Sequence, residues 1–200
     1  MSKKPMAITS TTTIQTEFGP YKANHHNMGN DTIISFVYGD VRINTPIVRI
    51  HSACLFGEAF HSLHCDCSHQ LTEAMKTIQT HGAGVIVYSY QEGRDIGLEN
   101  KIKAMEVERE TGCDTVDAFK KLGFDQADLR NFKNEVRVLQ ELNVSNKIYS
   151  FSGNPRKRNE IEAGGFTILD EYEIPEGVAG ILAEKERRTK KEKLGYTYKT

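Results

Sequence analysis

The sequence predicts an α/β fold, and three observations carry that reading. Residues 84–89 (GVIVYS) form a short, nearly all-apolar run, the signature of a strand buried on both faces. Strand-like and helix-like segments alternate on either side of it, which argues for layered α/β packing. The residues before about position 40 are richer in strand-forming types than the rest. In order, 32–38 (TIISFVY) and 46–50 (PIVRI) combine β-branched and aromatic residues and are bounded by Gly, Asp and Pro, so both are strands. Residues 68–81 are a helix: Ser68 can cap it, Leu71, Met75 and Ile78 make an apolar stripe, and Gly82 stops it. A polar loop, QEGRDIG, follows the buried strand at 91–97. Helical patterns cover roughly 98–110, 114–122 and 131–142, and NKIYSF at 146–151 is a strand. Asn154 and Pro155 open a further helix that ends at a glycine pair, and a last short strand lies at 166–169.

With 200 residues, 38% of them hydrophobic, the chain suits a single domain, placed at 1–180. Residues 181–200 are a charged run expected to be a mobile tail. The formal net charge of −1 gives no global attraction to nucleic acid or to a membrane, so any anion site must be local. No apolar run approaches the roughly 20 residues of a membrane helix. The opening MSKKPMAITS lacks the apolar stretch of a secretory signal, so the expected location is the cytoplasm.

Cysteine placement is the sharpest chemical signal. Cys54 is followed by ten residues, Cys65, one residue and Cys67, with Cys113 apart from them. Thiolates hold Zn²⁺ well, and three protein ligands leave a fourth tetrahedral position for water, the arrangement of a catalytic zinc. Such a metal lowers the pKa of its water to about 7. Two other readings stand beside this one: a pair of disulfides, or a closed structural site completed by His51, His61, His64 or His69.

Three further features could handle a ligand. The Gln91–Gly97 loop lies after a buried strand, where ligands sit in α/β sheets, and it sets Arg94 between Glu92 and Asp95. Arg156, Lys157 and Arg158 crowd a helix N-terminus, which already favours anions; a basic surface turn is the alternative. Asp128 and Arg130 stand two apart between helices and by themselves read as a cap plus a surface charge.

In this order the segments RIHSACLFGEAFHSLHCDCSHQL (49–71), YQEGRDIGLENKIKA (90–104), DTVDAFKKLGF (114–124), DLRNF (128–132), GNPRK (153–157) and TKKEKLGY (189–196) resemble the GTP cyclohydrolase II family. The resemblance implies an α/β fold with a mixed sheet flanked by helices, commonly as a homodimer. It implies release of pyrophosphate from GTP, opening of the imidazole ring at C8 and removal of that carbon as formate. It implies one Zn²⁺ per chain on Cys54, Cys65 and Cys67, with Mg²⁺ on the triphosphate. Arg130 matches an arginine proposed to attack the α-phosphorus, and Asp128 matches its base. A guanidinium with a pKa above about 12 is a poor nucleophile, so a phosphate clamp is the physically preferred role. Arg49, Ile50, His51, Ser52, Ala53, Gln70, Glu92, Gly93, Arg94, Thr115, Ser152 and Lys157 match nucleotide-contacting positions.

The chain departs from the family's usual pattern at several places. Ala53 replaces a glutamate, His64 an arginine, Asp95 an asparagine, Met105 a tyrosine, Phe119 an asparagine and Ser152 a threonine. Metal and phosphate residues persist while other pocket groups change, which points to a divergent cyclohydrolase. Deformylation needs a proton donor to the leaving amine, and a methionine cannot donate. Met105 therefore leads to the expectation that the formyl group stays on the product. The ordinary formate-releasing enzyme and a non-catalytic nucleotide-binding protein with structural zinc are the other two readings.

Overall fold

The computed structural model describes residues 8–29, 31–172, 174–175 and 180–197. In chain order the elements are β1 (Ile8–Thr16), β2 (Gly19–Met28), β3 (Asp31–Tyr38), β4 (Ile47–Ser52), α1 (Leu55–Glu58), α2 (Cys67–His81) and β5 (Gly84–Ser89). A 3₁₀ turn (Glu92–Asp95) follows, then α3 (Gly97–Thr111), α4 (Thr115–Lys121), α5 (Lys133–Glu141), β6 (Lys147–Ser150), α6 (Pro155–Ala163), β7 (Thr167–Glu171) and α7 (Ile181–Leu194). These residues gather into two compact units. The first holds the described residues through His51 with Leu71–Tyr90 and Phe132–Ile174; the second holds Ser52–Gln70, Gln91–Asn131 and the described residues from Pro175 onward.

The first unit is built on a seven-stranded sheet in the order β1-β2-β3-β5-β4-β6-β7. It is mixed, as the resemblance implies: β1, β2, β3 and β5 pair antiparallel, whereas β4, β6 and β7 pair parallel. Alternation along β4 and β5 sorts the side chains. Val48, Ile50, Val85 and Val87 turn to a core shared with Val136 and Leu139 of α5 and Ile161 of α6. Ile47 and Ile86 turn to the opposite core, shared with Ala74 and Ile78 of α2. Arg49 and His51 therefore fall on the α2 face. Gly84 permits this layering, because a Cβ there would lie 2.7 Å from the Ile47 carbonyl oxygen and 2.7 Å from Cγ1 of Ile78.

The second unit has a smaller core, in which Ile96, Ala104 of α3 and Ala118 and Phe119 of α4 are buried together. Asp114 caps α4 by accepting from the backbone N–H groups of Val116 and Asp117. Within the charged run at 181–200, Ile181–Leu194 form α7. Its Ala183 and Thr189 are buried. Lys185 donates to the carbonyls of Gly112 and Cys113, and Lys193 to the Asp114 and Asp117 carboxylates. A helix docked largely through ion pairs shows no broad apolar stripe in its sequence. Two smaller differences concern helix starts: α2 begins at Cys67, one residue before the expected Ser68 cap, and α1 is a single turn that periodicity cannot reveal. No helix among the described residues is long and apolar enough to cross a membrane.

Candidate active site and metal centre

In the second unit, Cys54 lies at the start of α1, where its backbone N–H donates to the Glu58 carboxylate at 2.9 Å. Cys67 is the first residue of α2, and Cys65 stands two before it. The three sulfurs lie within 4.8 Å of one another, and Cys54 and Cys65 are 3.5 Å apart, far beyond a disulfide bond. Gly57 makes the cluster possible. A Cβ there would stand 2.7 Å from Sγ of Cys65 and 3.2 Å from Sγ of Cys54.

The electrostatics of the trio fit a cation. Hydrogen bonds from the Cys65 and Cys67 thiols hold Cys54 far below the ordinary thiol range. The bond to Cys54 pushes Cys65 up to about 11, and the same crowding raises Cys67 well above its usual value. Three adjacent thiols thus resist carrying three charges, and a soft divalent cation removes that resistance. Among the described residues no histidine joins the group. His64 faces the Ser62 hydroxyl at 3.1 Å, and His69 the Pro175 carbonyl at 2.9 Å. Cys113 packs instead against the α3–α4 core.

Lys101, a residue the sequence did not single out, reaches the cluster from α3. Its ammonium donates to Sγ of Cys54 at 3.2 Å and to the Glu92 carboxylate at 2.5 Å, and it lies over the Phe56 ring. The other oxygen of Glu92 accepts from the Leu55 backbone N–H at 2.8 Å. Glu92 therefore ties the 3₁₀ turn to α1. That turn is held by left-handed backbone at Gly93 (φ 62) and Arg94 (φ 57). Arg94 is buried, donating to the Ala127 carbonyl and to Glu186 at 2.7 Å, with its guanidinium over Phe119. Met105 is half-buried, one turn beyond Lys101 on the same helix.

Asp128 and Arg130 are both buried, which corrects their reading as a cap and a surface charge. The Asp128 carboxylate accepts from Nε of Arg130 at 2.9 Å, from an outer guanidinium nitrogen at 2.6 Å and from the Arg130 backbone N–H. The cap position of α5 is Phe132. Arg130 also reaches the Ser52 hydroxyl at 3.3 Å and the Tyr196 phenol at 2.8 Å. Burial disfavours its charge, but Tyr196 and Asp128 outweigh that and keep the guanidinium protonated. Nearby in sequence to the cysteines, Gln70 donates to Asp66 at 2.8 Å and Ala53 is buried. Thr115, the first residue of α4, is also buried.

The first unit holds the remaining expected residues. Buried Arg49 donates to Nδ1 of His51 at 3.0 Å and to the Phe151 carbonyl at 2.9 Å, and the His51 ring stacks on Tyr88. Asn154 caps α6 through Arg156, with Pro155 as its first residue, as the sequence predicts. Of the three basic residues there, Lys157 turns inward to the Ile50 carbonyl at 2.7 Å and over Phe132, whereas Arg158 pairs with Glu171. Ser152 accepts from the Asn154 backbone N–H at 3.2 Å.

A mixed α/β sheet and a glycine-cradled trio of cysteine sulfurs define a protein of the thiolate metal-site class. The sequence matches the profile described as GTP cyclohydrolase II over residues 7–173, and the chain belongs to that family. It is 41% identical over 169 residues to the GTP cyclohydrolase-2 of Buchnera aphidicola subsp. Acyrthosiphon pisum, covering 82% of each chain. It is 44% identical over 170 residues to that of Buchnera aphidicola subsp. Schizaphis graminum, again covering 82% of each. It is 43% identical over 175 residues to the riboflavin biosynthesis protein RibBA of Staphylococcus epidermidis, covering 85% of this chain but spanning only 42% of that relative's length.

Proposed function

We propose that this protein is a zinc-dependent GTP cyclohydrolase of riboflavin synthesis, releasing pyrophosphate and formate. The observation that carries the reading is the trio of sulfurs within 4.8 Å, with a lysine 3.2 Å from one of them. The names borne by relatives at 41% and 44% identity support the ordinary reaction over the divergent one expected from the sequence. Each of three cleavages consumes one water: at the α–β phosphoanhydride, in the imidazole ring at C8, and at the resulting formamide. The product is a diaminopyrimidine ribosyl phosphate. Cys54, Cys65 and Cys67 would hold one Zn²⁺, which when bound makes hydroxide available near neutral pH.

The chain's own residues do the rest. Asp128, with two oxygens on the guanidinium, fixes Arg130 in one plane, as a bidentate pair does. Arg130 then meets the charge that grows on the phosphates as pyrophosphate leaves. Lys157 and Arg49 supply buried positive charge for the phosphates, and Mg²⁺ would accompany the triphosphate. Lys101 holds positive charge beside the sulfurs. Ser52, Gln70, Thr115 and Ser152 are the neutral polar contacts assigned to the nucleotide, with Ile50, His51, Ala53, Glu92, Gly93 and Arg94 forming the rest of its surroundings. A homodimer in the cytoplasm is the assigned setting. The test is Cys65→Ser: it should lose zinc and ring opening together. Full zinc and full activity in that variant would remove the assignment.

A second reading keeps the formyl group on the product. Lys101 and Met105 are four residues apart and share a face of α3, and Lys101 reaches a sulfur. Met105 thus lies along the face that meets the cluster, where a thioether cannot donate a proton. Formate equal to pyrophosphate would exclude this reading. A formyl-bearing product that loses formate in Met105→Tyr would establish it.

A further inference from the structure

Helix α7 lies beyond residues 7–173, the stretch matched to the family profile. Five of its charged side chains make two sets of contacts. Lys185 and Lys193 anchor it to the α3–α4 junction, at the carbonyls of Gly112 and Cys113 and at the carboxylates of Asp114 and Asp117. Glu186, Arg187 and Lys190 meet residues of the site. Glu186 accepts from Arg94 at 2.7 Å. Arg187 and Lys190 stand 3.8 and 4.0 Å from the carboxylate of Asp66, the residue between two of the three cysteines, itself almost fully buried.

The helix ends in a turn that delivers one more side chain. Gly195 is left-handed (φ 69), a conformation costly for other residues, and the Tyr196 backbone N–H returns to the Lys190 carbonyl at 3.2 Å. The chain is thereby redirected, and the Tyr196 hydroxyl arrives 2.8 Å from an outer nitrogen of Arg130. That same nitrogen donates to Asp128 at 2.6 Å, while the other outer nitrogen donates to Ser52.

We propose that α7 is a strap that completes the site, and that Tyr196 is a positioning residue for Arg130. Asp128 fixes the plane of the guanidinium along one edge. Tyr196 accepts a hydrogen bond from its outer corner and sets where that plane points. A hydrogen bond to a charged group is worth more than a neutral one, so its loss should be visible in rate. The role rests on the proposal that Arg130 acts on the phosphates.

The experiment compares zinc-loaded wild type, Tyr196→Phe, a chain ending at Leu194 and Arg130→Ala. It measures pyrophosphate release from GTP, zinc per chain and thermal midpoint. Tyr196→Phe should keep zinc and midpoint and lose about tenfold in kcat with KM changed less than twofold, because the phenyl ring keeps the packing and removes only the hydroxyl. The truncated chain should lose at least as much. A double-mutant cycle on the rate of pyrophosphate release should show the Tyr196→Phe effect vanishing in Arg130→Ala. An unchanged kcat in Tyr196→Phe, or a faster truncated chain, would overturn the proposal, the second by making α7 an inhibitory cover. Absence of pyrophosphate release in wild type would instead remove the role of the site itself, so the two failures are distinguishable.

Discussion

The ammonium of Lys101 lies 3.2 Å from the sulfur of Cys54 and shares its remaining charge with Glu92 at 2.5 Å. A cation beside a metal-binding thiolate tempers the negative charge of the ligand set without occupying a coordination position. On the proposal that the three sulfurs hold the zinc, Lys101→Met should retain one zinc per chain. Ring opening should fall by roughly tenfold to a hundredfold, the range of a lost charge contact in a desolvated site. Metal analysis beside formate release checks this. Loss of zinc in step with activity would make Lys101 part of the cradle instead.

Gly57→Ala tests the cradle directly. The added methyl would sit 2.7 Å from Sγ of Cys65, inside any real contact distance, and its other neighbours are the sulfur of Cys54 and Cβ of Cys67. The sulfurs must spread, so zinc affinity should drop by tenfold or more, in the range of a disturbed ligand shell. A competition titration against a chelator reads the affinity. Wild-type affinity would mean the cluster rearranges freely.

Much of this site was legible in the sequence, and the reasons differ by residue. Cys54, Cys65 and Cys67 are rare residue types at short spacing, so their meeting could be read without geometry. Asn154 and Pro155 announced α6 because a capping side chain and a fixed φ act locally. Lys101, Gly57 and Tyr196 were not singled out, since each matters only through a contact with residues distant in sequence. Lys101 meets Cys54 across 47 positions, and Arg130 meets Tyr196 across 66. Helix α7 was hidden for the same reason. Its docking rests on Lys185 and Lys193 finding acceptors on α4 and before it, and periodicity records apolar stripes rather than ion pairs. Asp128 and Arg130 by themselves looked like a cap and a surface charge because nothing in their spacing encodes burial.

Removal of the α6 cap should couple stability to phosphate handling. Asn154 accepts from the Arg156 backbone N–H at 2.9 Å, and Lys157 lies in the same first turn. Asn154→Ala should cost about 1 kcal/mol of stability, the usual value of a lost cap. It should also raise KM for GTP severalfold as the Lys157 turn loosens. Denaturant unfolding and steady-state kinetics on one preparation check both effects.

Glu108 on α3 gives stability a pH dependence. Burial first, then the neighbouring Glu186 carboxylate, pushes its pKa from 4.5 to about 7. The folded chain therefore binds this proton more tightly than the unfolded chain does. Its contribution falls as pH rises from about 4.5 to about 7 and is constant above that. Glu108→Gln should match wild type near pH 4 and melt higher than wild type at pH 8. Thermal melts at the two pH values decide it, and equal midpoints at pH 8 would contradict the burial of this charge.

The central claim is that a three-thiolate zinc site in this chain carries both hydrolyses at the imidazole carbon. Its most direct test quantifies zinc, pyrophosphate and formate together as the purified protein consumes GTP. The account predicts one zinc per chain and one pyrophosphate and one formate for every GTP, with formate abolished in Cys65→Ser. GTP consumed with undiminished formate by a Cys65→Ser protein free of zinc would contradict it.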